Sequence, residues 1–309
     1  MKTRISFLFL LCVWAVSCTK EKTDYQAEIE TIVPSYDDFE EVLQVDLGHY
    51  QIFLESLNGT LYTGYNELRA RVMDSRTQQP ANGIEKLTFL PILQLENQKS
   101  DSGPHQYQLS FQADKGYYTG FSVFPHASDA EREWEIYLGV ESSDQYVQEY
   151  AEVQVHPQEN KNLSMTQFTG NDQQDYYIAL ISPQVPKVAE NELVAGVYKR
   201  DSVVPAEDDE FPNPQAYRFS VVDDYTLQLD PRMPEASMGN HSSPGNKDLV
   251  QSQDGWYRGL VNYTMTGNWT LNLMMRDQAG NVIKGTPVPD AFTPGVEGVK
   301  SELHIDILF

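Results

Sequence analysis

The chain has 309 residues and carries 22 Lys and Arg against 45 Asp and Glu, which gives a formal charge of −23. This length is typical of two domains of roughly 100 to 200 residues each, and 18 Tyr, 13 Phe and 4 Trp indicate a folded rather than a disordered chain. No Lys/Arg-rich run is present, so we expect no nucleic-acid partner, because binding phosphates requires a basic face.

Residues 1–17 are typical of a secretory signal peptide. Lys2 and Arg4 form a basic start, and an apolar stretch then runs to Val16. At about a dozen residues this stretch is too short to span a bilayer. The segment ends in Ser17-Cys18 and resembles a bacterial lipoprotein signal, which implies cleavage before Cys18 and lipidation of that cysteine. An ordinary signal peptide cut nearby is the alternative.

Residues 18–39 are predicted to be the lipidated cysteine and a polar tether. Charged residues directly after Ser17-Cys18 are similar to those of lipoproteins of the Bacteroidetes, which implies a lipid anchor in the bacterial outer membrane of the cell envelope. The sequence leaves open whether the protein faces the periplasm or the cell surface, and which envelope protein is its partner. Anionic lipid repels so acidic a body, so the lipid is the expected anchor.

Several segments occur twice along the chain in the same order, at offsets of about 125 to 140 residues, which indicates an internal repeat. The matched pairs are Asn66-Glu67-Leu68 with Asn191-Glu192-Leu193, Gly116 to Gly120 with Gly255 to Gly259, and Trp134 to Leu138 with Trp269 to Leu273. We therefore predict a first repeat over 40–165 and a second repeat over 166–309.

Short alternating runs of polar and apolar residues occupy both predicted repeats and predict antiparallel strands packed as a sandwich. The last of them places Leu303, Ile305 and Ile307 on one face of a strand. The segment Asp37 to Leu43 suits a short helix or a strand. The other runs are Leu68 to Met73, Gln106 to Phe111, Tyr117 to Phe124, Trp134 to Val140, Tyr150 to Val155, Leu193 to Tyr198, Tyr217 to Val222, Tyr225 to Leu229, Trp256 to Met265 and Trp269 to Met275.

The second repeat contains an ordered set of turn and aromatic motifs. Met233-Pro234, Met238-Gly239 and His241 come first, followed by Gly255-Trp256-Tyr257 and by Met265 to Trp269. This order resembles the YtkA-like (FixH-like) domain over roughly residues 191–275, with a weaker likeness over 66–140. The resemblance implies an immunoglobulin-like sandwich in a family linked to copper handling, with no established enzyme activity. The expected fold is therefore all-β, with two tandem immunoglobulin-like antiparallel β-sandwich domains after a lipoprotein signal peptide.

Met233, Met238 and His241 place two thioethers and one imidazole within nine positions. Soft thioethers with an imidazole suit Cu(I), and a loop containing Pro234 and Gly239 is able to fold the three together. Copper is therefore the one cofactor that the sequence suggests. The alternative is that Met233 is a core residue and Met238 an exposed loop side chain.

A further methionine and the first repeat both bear on this copper site. Met265 is either a fourth ligand or packing beneath Trp269. In the first repeat Leu93 and Asp101 stand at the positions of Met233 and His241, so the donors do not recur. We expect the first repeat to serve as scaffold or interaction surface.

We expect no enzyme activity from this chain. No Gly-x-Ser-x-Gly elbow, His-Glu-x-x-His motif or Cys/His zinc spacing is present, and the histidines are scattered. The acidic run at 207–210 lacks the alternating pattern of a calcium loop and is interpreted as a solvated linker. Tyr117, Tyr118, Trp256 and Tyr257 either form a platform for a sugar or partner or fill the sandwich.

The expected function is that of a non-enzymatic, lipid-anchored envelope binding protein, with transient copper binding or envelope assembly through the second domain. The competing hypothesis is a structural or protein-interaction surface lipoprotein with no metal site.

Overall fold

The computed structural model describes residues 33–96, 99–201 and 211–308. Within these ranges the chain contains β-strands and two short 3-10 helices, Lys161–Leu163 and Pro214–Tyr217, and no α-helix. The predicted all-β class is confirmed. The signal peptide, Cys18 and the acidic run 207–210 lie outside the described residues.

The strands of the N-terminal half form the N-terminal strand group, β1 to β12. One sheet has the order β1-β2-β4-β9-β8 with β5 beside β4, a second has the order β11-β10-β6-β7, and β3 and β12 form a two-residue parallel ladder. The bounds are β1 Phe39–Leu47, β2 Tyr50–Leu57, β3 Leu61–Tyr62, β4 Gly64–Asp74, β5 Gln79–Pro80, β6 Ile84–Leu95, β7 Ser100–Asp101, β8 Ser110–Gln112, β9 Tyr117–Phe124, β10 Arg132–Ser142, β11 Tyr146–Val153 and β12 Val155–His156.

The remaining strands form the C-terminal strand group, β13 to β23. Its ladders join in the order β13-β14-β15-β20-β19-β17-β21-β22, with β16 beside β15, β18 beside β17 and β23 beside β21. The bounds are β13 Met165–Thr169, β14 Asp175–Ser182, β15 Glu190–Arg200, β16 Phe219–Val221, β17 Thr226–Met233, β18 His241–Ser242, β19 Lys247–Gln251, β20 Tyr257–Asn262, β21 Asn268–Arg276, β22 Val282–Lys284 and β23 Leu303–Leu308.

Each strand group encloses an apolar core of its own. The N-terminal core contains side chains of β2, β4, β6, β9 and β10 around Trp134, which is fully buried. The C-terminal core contains side chains of β14, β15, β17, β20, β21 and β23 around Trp269, which is 1% exposed. Because β19 pairs with both β17 and β20, the two layers of the C-terminal strand group join into one sheet folded over this core.

Two asparagines hold the same local structure at equivalent places in the two strand groups. Asn66 in β4 accepts a hydrogen bond from the Tyr62 N–H and donates to the carbonyls of Tyr62 and Gly64. Asn191 in β15 does the same with the N–H of Lys187 and the carbonyls of Lys187 and Ala189. Both side chains are nearly buried, so each satisfies backbone groups that water cannot reach.

The described chain begins with a short segment that packs on the N-terminal strand group, and β1 follows it. Phe39–Leu47 pairs with β2, so the strand and not the helix forms over most of Asp37 to Leu43. Just before it, Tyr36 is 5% exposed, stacks on Tyr62 at 5.0 Å and donates its hydroxyl to Gln158. The last residues of the predicted tether are therefore packed against the body of the protein.

The two strand groups pack against each other through the aromatic interface cluster, which comprises Tyr65, Phe121, Tyr198 and Trp256. Phe121 stacks on Tyr198 at 5.5 Å, and Trp256 meets the edges of Tyr65 and Phe121 at 5.3 and 5.6 Å. An Arg200–Asp101 ion pair also joins the groups. Among the described strands no hydrogen-bonded ladder crosses from one group to the other, so side chains make this interface.

Candidate functional site

Met233 and His241 are directly opposite each other in the antiparallel ladder of β17 and β18. Residues opposed in this way project from the same face of a sheet. The loop between them turns the chain back through Gly239 and Asn240, whose φ values are +67° and +55°. Glycine adopts this left-handed conformation without steric cost, and asparagine tolerates it better than most residues.

The side chain of Asn240 fixes this loop to its neighbour. Asn240 is 6% exposed and donates a hydrogen bond to the Pro289 carbonyl at 3.3 Å. The Gly298 N–H donates to the Pro234 carbonyl at 2.6 Å, and the guanidinium of Arg232 binds Asp290 at 2.6 Å. The segment between β22 and β23 therefore supports the loop that carries Met238.

Met233 lies inside the C-terminal core and is 2% exposed. Its terminal methyl faces the turn between β20 and β21, because a Cβ built on Gly267 would stand 2.7 Å from it. Gly267 has φ +133°, a conformation that suits glycine, and its missing side chain leaves the space that Met233 fills.

His241 is half-buried at the edge of this core. Its Nε2 lies 2.9 Å from the Thr264 hydroxyl, and its ring centroid is 6.1 Å from that of Trp269. The Trp269 indole in turn donates to the Met265 carbonyl at 3.0 Å. Among the described residues Nδ1 makes no hydrogen bond, so it is the nitrogen with a free lone pair in the tautomer that protonates Nε2.

Met238 and Met265 are half-buried and pack against the same core as Met233. Met238 sits at the end of a turn in which its own N–H and that of Gly239 donate to the Glu235 carbonyl. The structure therefore brings Met233, Met238 and His241 to one end of the C-terminal strand group. Met233 is a core residue, as the alternative interpretation held, whereas Met238 is half-buried and not the exposed loop side chain of that interpretation.

Sequence reasoning missed two residues that shape the site. Thr264 holds the imidazole of His241, and Gly267 admits Met233 beneath the β20–β21 turn. Gly267 was visible as a turn residue of the Met265 to Trp269 motif, whereas nothing in the sequence pointed to Thr264, because its contact depends on how two distant loops meet.

The corresponding place in the N-terminal strand group has an imidazole, that of His126, but Leu93 and Asp101 stand in the β6–β7 ladder where the other group has Met233 and His241. Trp134 donates its indole N–H to the His126 carbonyl at 2.9 Å, just as Trp269 does to Met265. Burial and the nearby Arg132 lower the pKa of His126, which keeps this imidazole neutral over a wider pH range.

The described ranges contain no cluster of three or more His, Cys, Asp or Glu side chains able to hold a metal ion. Hard-ligand and zinc-type sites are therefore not found within them, and the thioether and imidazole donors at the end of β17 are the candidate metal ligands. Cys18, the predicted lipidation site, lies outside the described residues. Within those ranges no helix is long and apolar enough to cross a membrane.

The four aromatic residues that the sequence suggested as a platform for a sugar or partner do not lie together on one surface. Tyr257 is fully buried and donates its hydroxyl to the Val222 carbonyl at 2.9 Å. Trp256 belongs to the aromatic interface cluster. Tyr117 lies 5.0 Å from the Arg69 guanidinium, and Tyr118 packs against the N-terminal core. All four side chains therefore have contacts within the protein, and Tyr118 is the one among them that also lines a cleft.

No protein-family model matches the chain, and no curated protein is similar to it in sequence. A DUF4785 family protein from Legionella pneumophila is a structural neighbour at 9% identity and a TM-score of 0.24. The match covers 76% of this chain and 54% of the Legionella protein. A conserved domain protein from Bacillus anthracis matches at 11% identity and a TM-score of 0.28, and the match covers 90% of this chain and 93% of the Bacillus protein. The chain spans about half the length of the Legionella protein.

Proposed function

We propose that this protein is a non-enzymatic, lipid-anchored envelope protein whose C-terminal strand group binds Cu(I) transiently through Met233, Met238 and His241. The observation that carries the proposal is the direct pairing of Met233 with His241 across the β17–β18 ladder. Two thioethers and an imidazole form a donor set that suits Cu(I) and does not suit hard cations. The partly exposed positions of Met238 and His241 give a metal access from solvent.

The proposal includes two repeats, 40–165 and 166–309, with a YtkA-like fold in the second. It is supported by the matching hydrogen bonds of Asn66 and Asn191 and by the matching indole contacts of Trp134 and Trp269. The second repeat alone carries the soft donors. The first repeat then serves as the scaffold that the aromatic interface cluster joins to it.

The proposed location is the bacterial outer membrane, with the lipid on Cys18 as anchor and another envelope protein as partner. The net charge of −23 supports anchoring by lipid rather than by a protein surface, because anionic headgroups repel an acidic body. Two signal-peptide residues that contribute positive charge, Lys2 and Arg4, are removed with the signal in this proposal.

The second candidate is a structural or interaction lipoprotein without a metal site. Two observations favour it: Met233 is 2% exposed within an apolar core, and the Thr264 hydroxyl already binds the imidazole of His241. In that case all three residues serve packing and loop geometry alone.

Cu(I) titration against a colorimetric chelator separates the two candidates. The chain from Thr19 onward is used, because it contains no cysteine to compete for the metal. Copper binding predicts a stoichiometry of one and a loss of at least about tenfold in affinity, or about 1.4 kcal/mol, for Met238→Leu and for His241→Ala. Met73→Leu and His126→Ala in the N-terminal strand group are the matched controls and should leave the affinity unchanged.

If the double variant Met238→Leu with His241→Ala competes with the chelator as well as the unmodified chain does, the copper proposal is wrong. The packing role then explains all three residues. A thermal melt of each variant checks that the fold is retained.

A further inference from the structure

The N-terminal strand group has a cleft of about 630 Å³ where its two sheets separate. The floor is apolar and includes Val72 and Leu109, both of which are buried. The rim is formed by the turn after β5 and by the segment before and within β8. A volume of this size falls in the usual range for sites that bind small molecules.

Two aromatic rings at the mouth of this cleft lie on core-facing positions, and the core covers one of them only in part and leaves the other exposed. Along β9, Tyr118 shares its face with Gly120, Ser122 and Phe124, which are buried. Phe111 in β8 is directly opposite Tyr118 in the ladder and therefore lies on the same, inward face. The rings are 4.9 Å apart, yet Phe111 is 56% exposed. The sandwich thus leaves the ring of Phe111 exposed beside the half-buried ring of Tyr118, at a place where both would normally be enclosed.

The rim offers hydrogen-bonding groups that the protein does not use. The side chains of Asn82 and Gln108 line the cleft, are exposed, and make no hydrogen bond with the described residues. Each amide supplies two donors and one acceptor oxygen. Glu85 is the one charged residue of the lining. The polar edge of the cleft is therefore largely neutral and able to both donate and accept.

The charges around the cleft exclude an anionic ligand. No Lys, Arg or His is among the residues that line it. Lys115, in the adjacent turn, has its ammonium 5.9 Å from the ring of Tyr117, whose side chain projects from the opposite face of β9. With a net charge of −23 for the whole chain, a carboxylate or phosphate finds no counter-charge here.

We propose that this cleft binds a neutral carbohydrate, with a pyranose ring stacked on Phe111 and Tyr118. The C–H face of a pyranose is apolar and matches an exposed aromatic pair, while its hydroxyl groups both donate and accept hydrogen bonds, as do the amides of Asn82 and Gln108. The proposal concerns the N-terminal strand group and does not depend on copper binding by the C-terminal strand group.

The test uses the purified full chain, in a detergent without a sugar headgroup, titrated calorimetrically with cellohexaose, xylohexaose, maltohexaose and mannohexaose. At least one of these probes should bind with a Kd of about 1 mM or tighter. Phe111→Leu keeps an apolar side chain but removes the ring, so it should lower the affinity about tenfold. Phe111→Trp should retain binding. Phe292→Leu, at another exposed phenylalanine, is the matched control and should bind as the unmodified chain does.

Three results would overturn the proposal. The first is that none of the four oligosaccharides binds with a Kd of about 1 mM or tighter, and the second is that Phe111→Leu leaves their affinity unchanged. The third is that choline or a trimethyllysine peptide binds instead, in a manner lost in Glu85→Gln, which would make the aromatic pair and the carboxylate a cation site. Because Phe111 is largely exposed, its substitution leaves the fold intact, and a thermal melt checks this.

Discussion

Trp256→Ala should weaken the interface between the two strand groups. Trp256 contacts Tyr65 and Phe121 of the N-terminal strand group in edge-to-face geometry, at 5.3 and 5.6 Å. Each such pair contributes about 0.5 to 1.5 kcal/mol beyond its buried area, so the two cross-interface pairs together contribute about 1 to 3 kcal/mol. The free energy of unfolding should fall by at least this amount.

Urea unfolding followed by far-UV circular dichroism measures the effect without depending on tryptophan fluorescence. With a denaturant dependence of about 3 kcal/mol per molar urea, the midpoint should fall by about 0.3 to 1 M. Phe292→Ala is the control, since that ring is 45% exposed, lies outside the interface and packs over Gly239, so its loss should lower the midpoint less than Trp256→Ala does. An unchanged midpoint for Trp256→Ala would refute the view that this ring couples the two strand groups.

Three further outcomes are expected. Gly267→Ala should lower the melting temperature, because φ at this position is +133° and the new Cβ would meet the Met233 methyl at 2.7 Å, which together cost about 1 to 3 kcal/mol. Gly280→Ala, where a Cβ meets nothing, should cost less. Equal losses for the two variants would contradict the Met233 contact. Burial lowers the pKa of His105 to about 4, so the unfolded chain takes up a proton near pH 6.5 that the folded chain does not. The free energy of unfolding should therefore decline between pH 6.5 and 4 by up to about 3 kcal/mol. Urea midpoints measured at several pH values should decline less in His105→Gln, and identical curves for the two proteins would contradict this role of His105. Cys18→Ser should release the protein from the membrane fraction, and a variant that stays there after a salt wash would mean that another anchor exists.

The sequence alone predicts about half of the described strands, because the two-residue period of a strand is a local property; β2, β6, β13, β14 and β19 carry no predicted run, and of the run Gln106 to Phe111 only the end lies in a strand. In β23 the side chains of Leu303, Ile305 and Ile307 are buried while Asp306 is exposed, as the alternation required. β9 spans Tyr117–Phe124, the same bounds as its predicted run. β6 was not predicted, since Pro91 interrupts the run, yet Pro91 pairs with Ile136 in the structure.

In the candidate site, too, the residue types were predictable from the sequence, whereas their pairing depended on contacts between distant parts of the chain. The sequence picked out Met233, Met238 and His241 by residue type and spacing, but the pairing of Met233 with His241 depends on two left-handed residues, Gly239 and Asn240, whose conformation is set by contacts with a distant loop. The sequence named Tyr118 among four aromatic residues for a sugar platform but did not point to Phe111 or to the cleft, because no local signal distinguishes an inward-facing aromatic that is covered from one that is not.

The sequence by itself determined the all-β class and the positions of the repeated anchors, since alternation and self-similarity are written residue by residue along the chain. Only the tertiary structure decided that β19 joins two layers into one sheet, that Trp256 packs against Tyr65 and Phe121, and that Phe111 is left uncovered. The physical reason is that these features depend on contacts between residues distant in the chain, and many pairings of strands bury similar apolar faces. The choice among them rests on how whole side chains fit together in three dimensions.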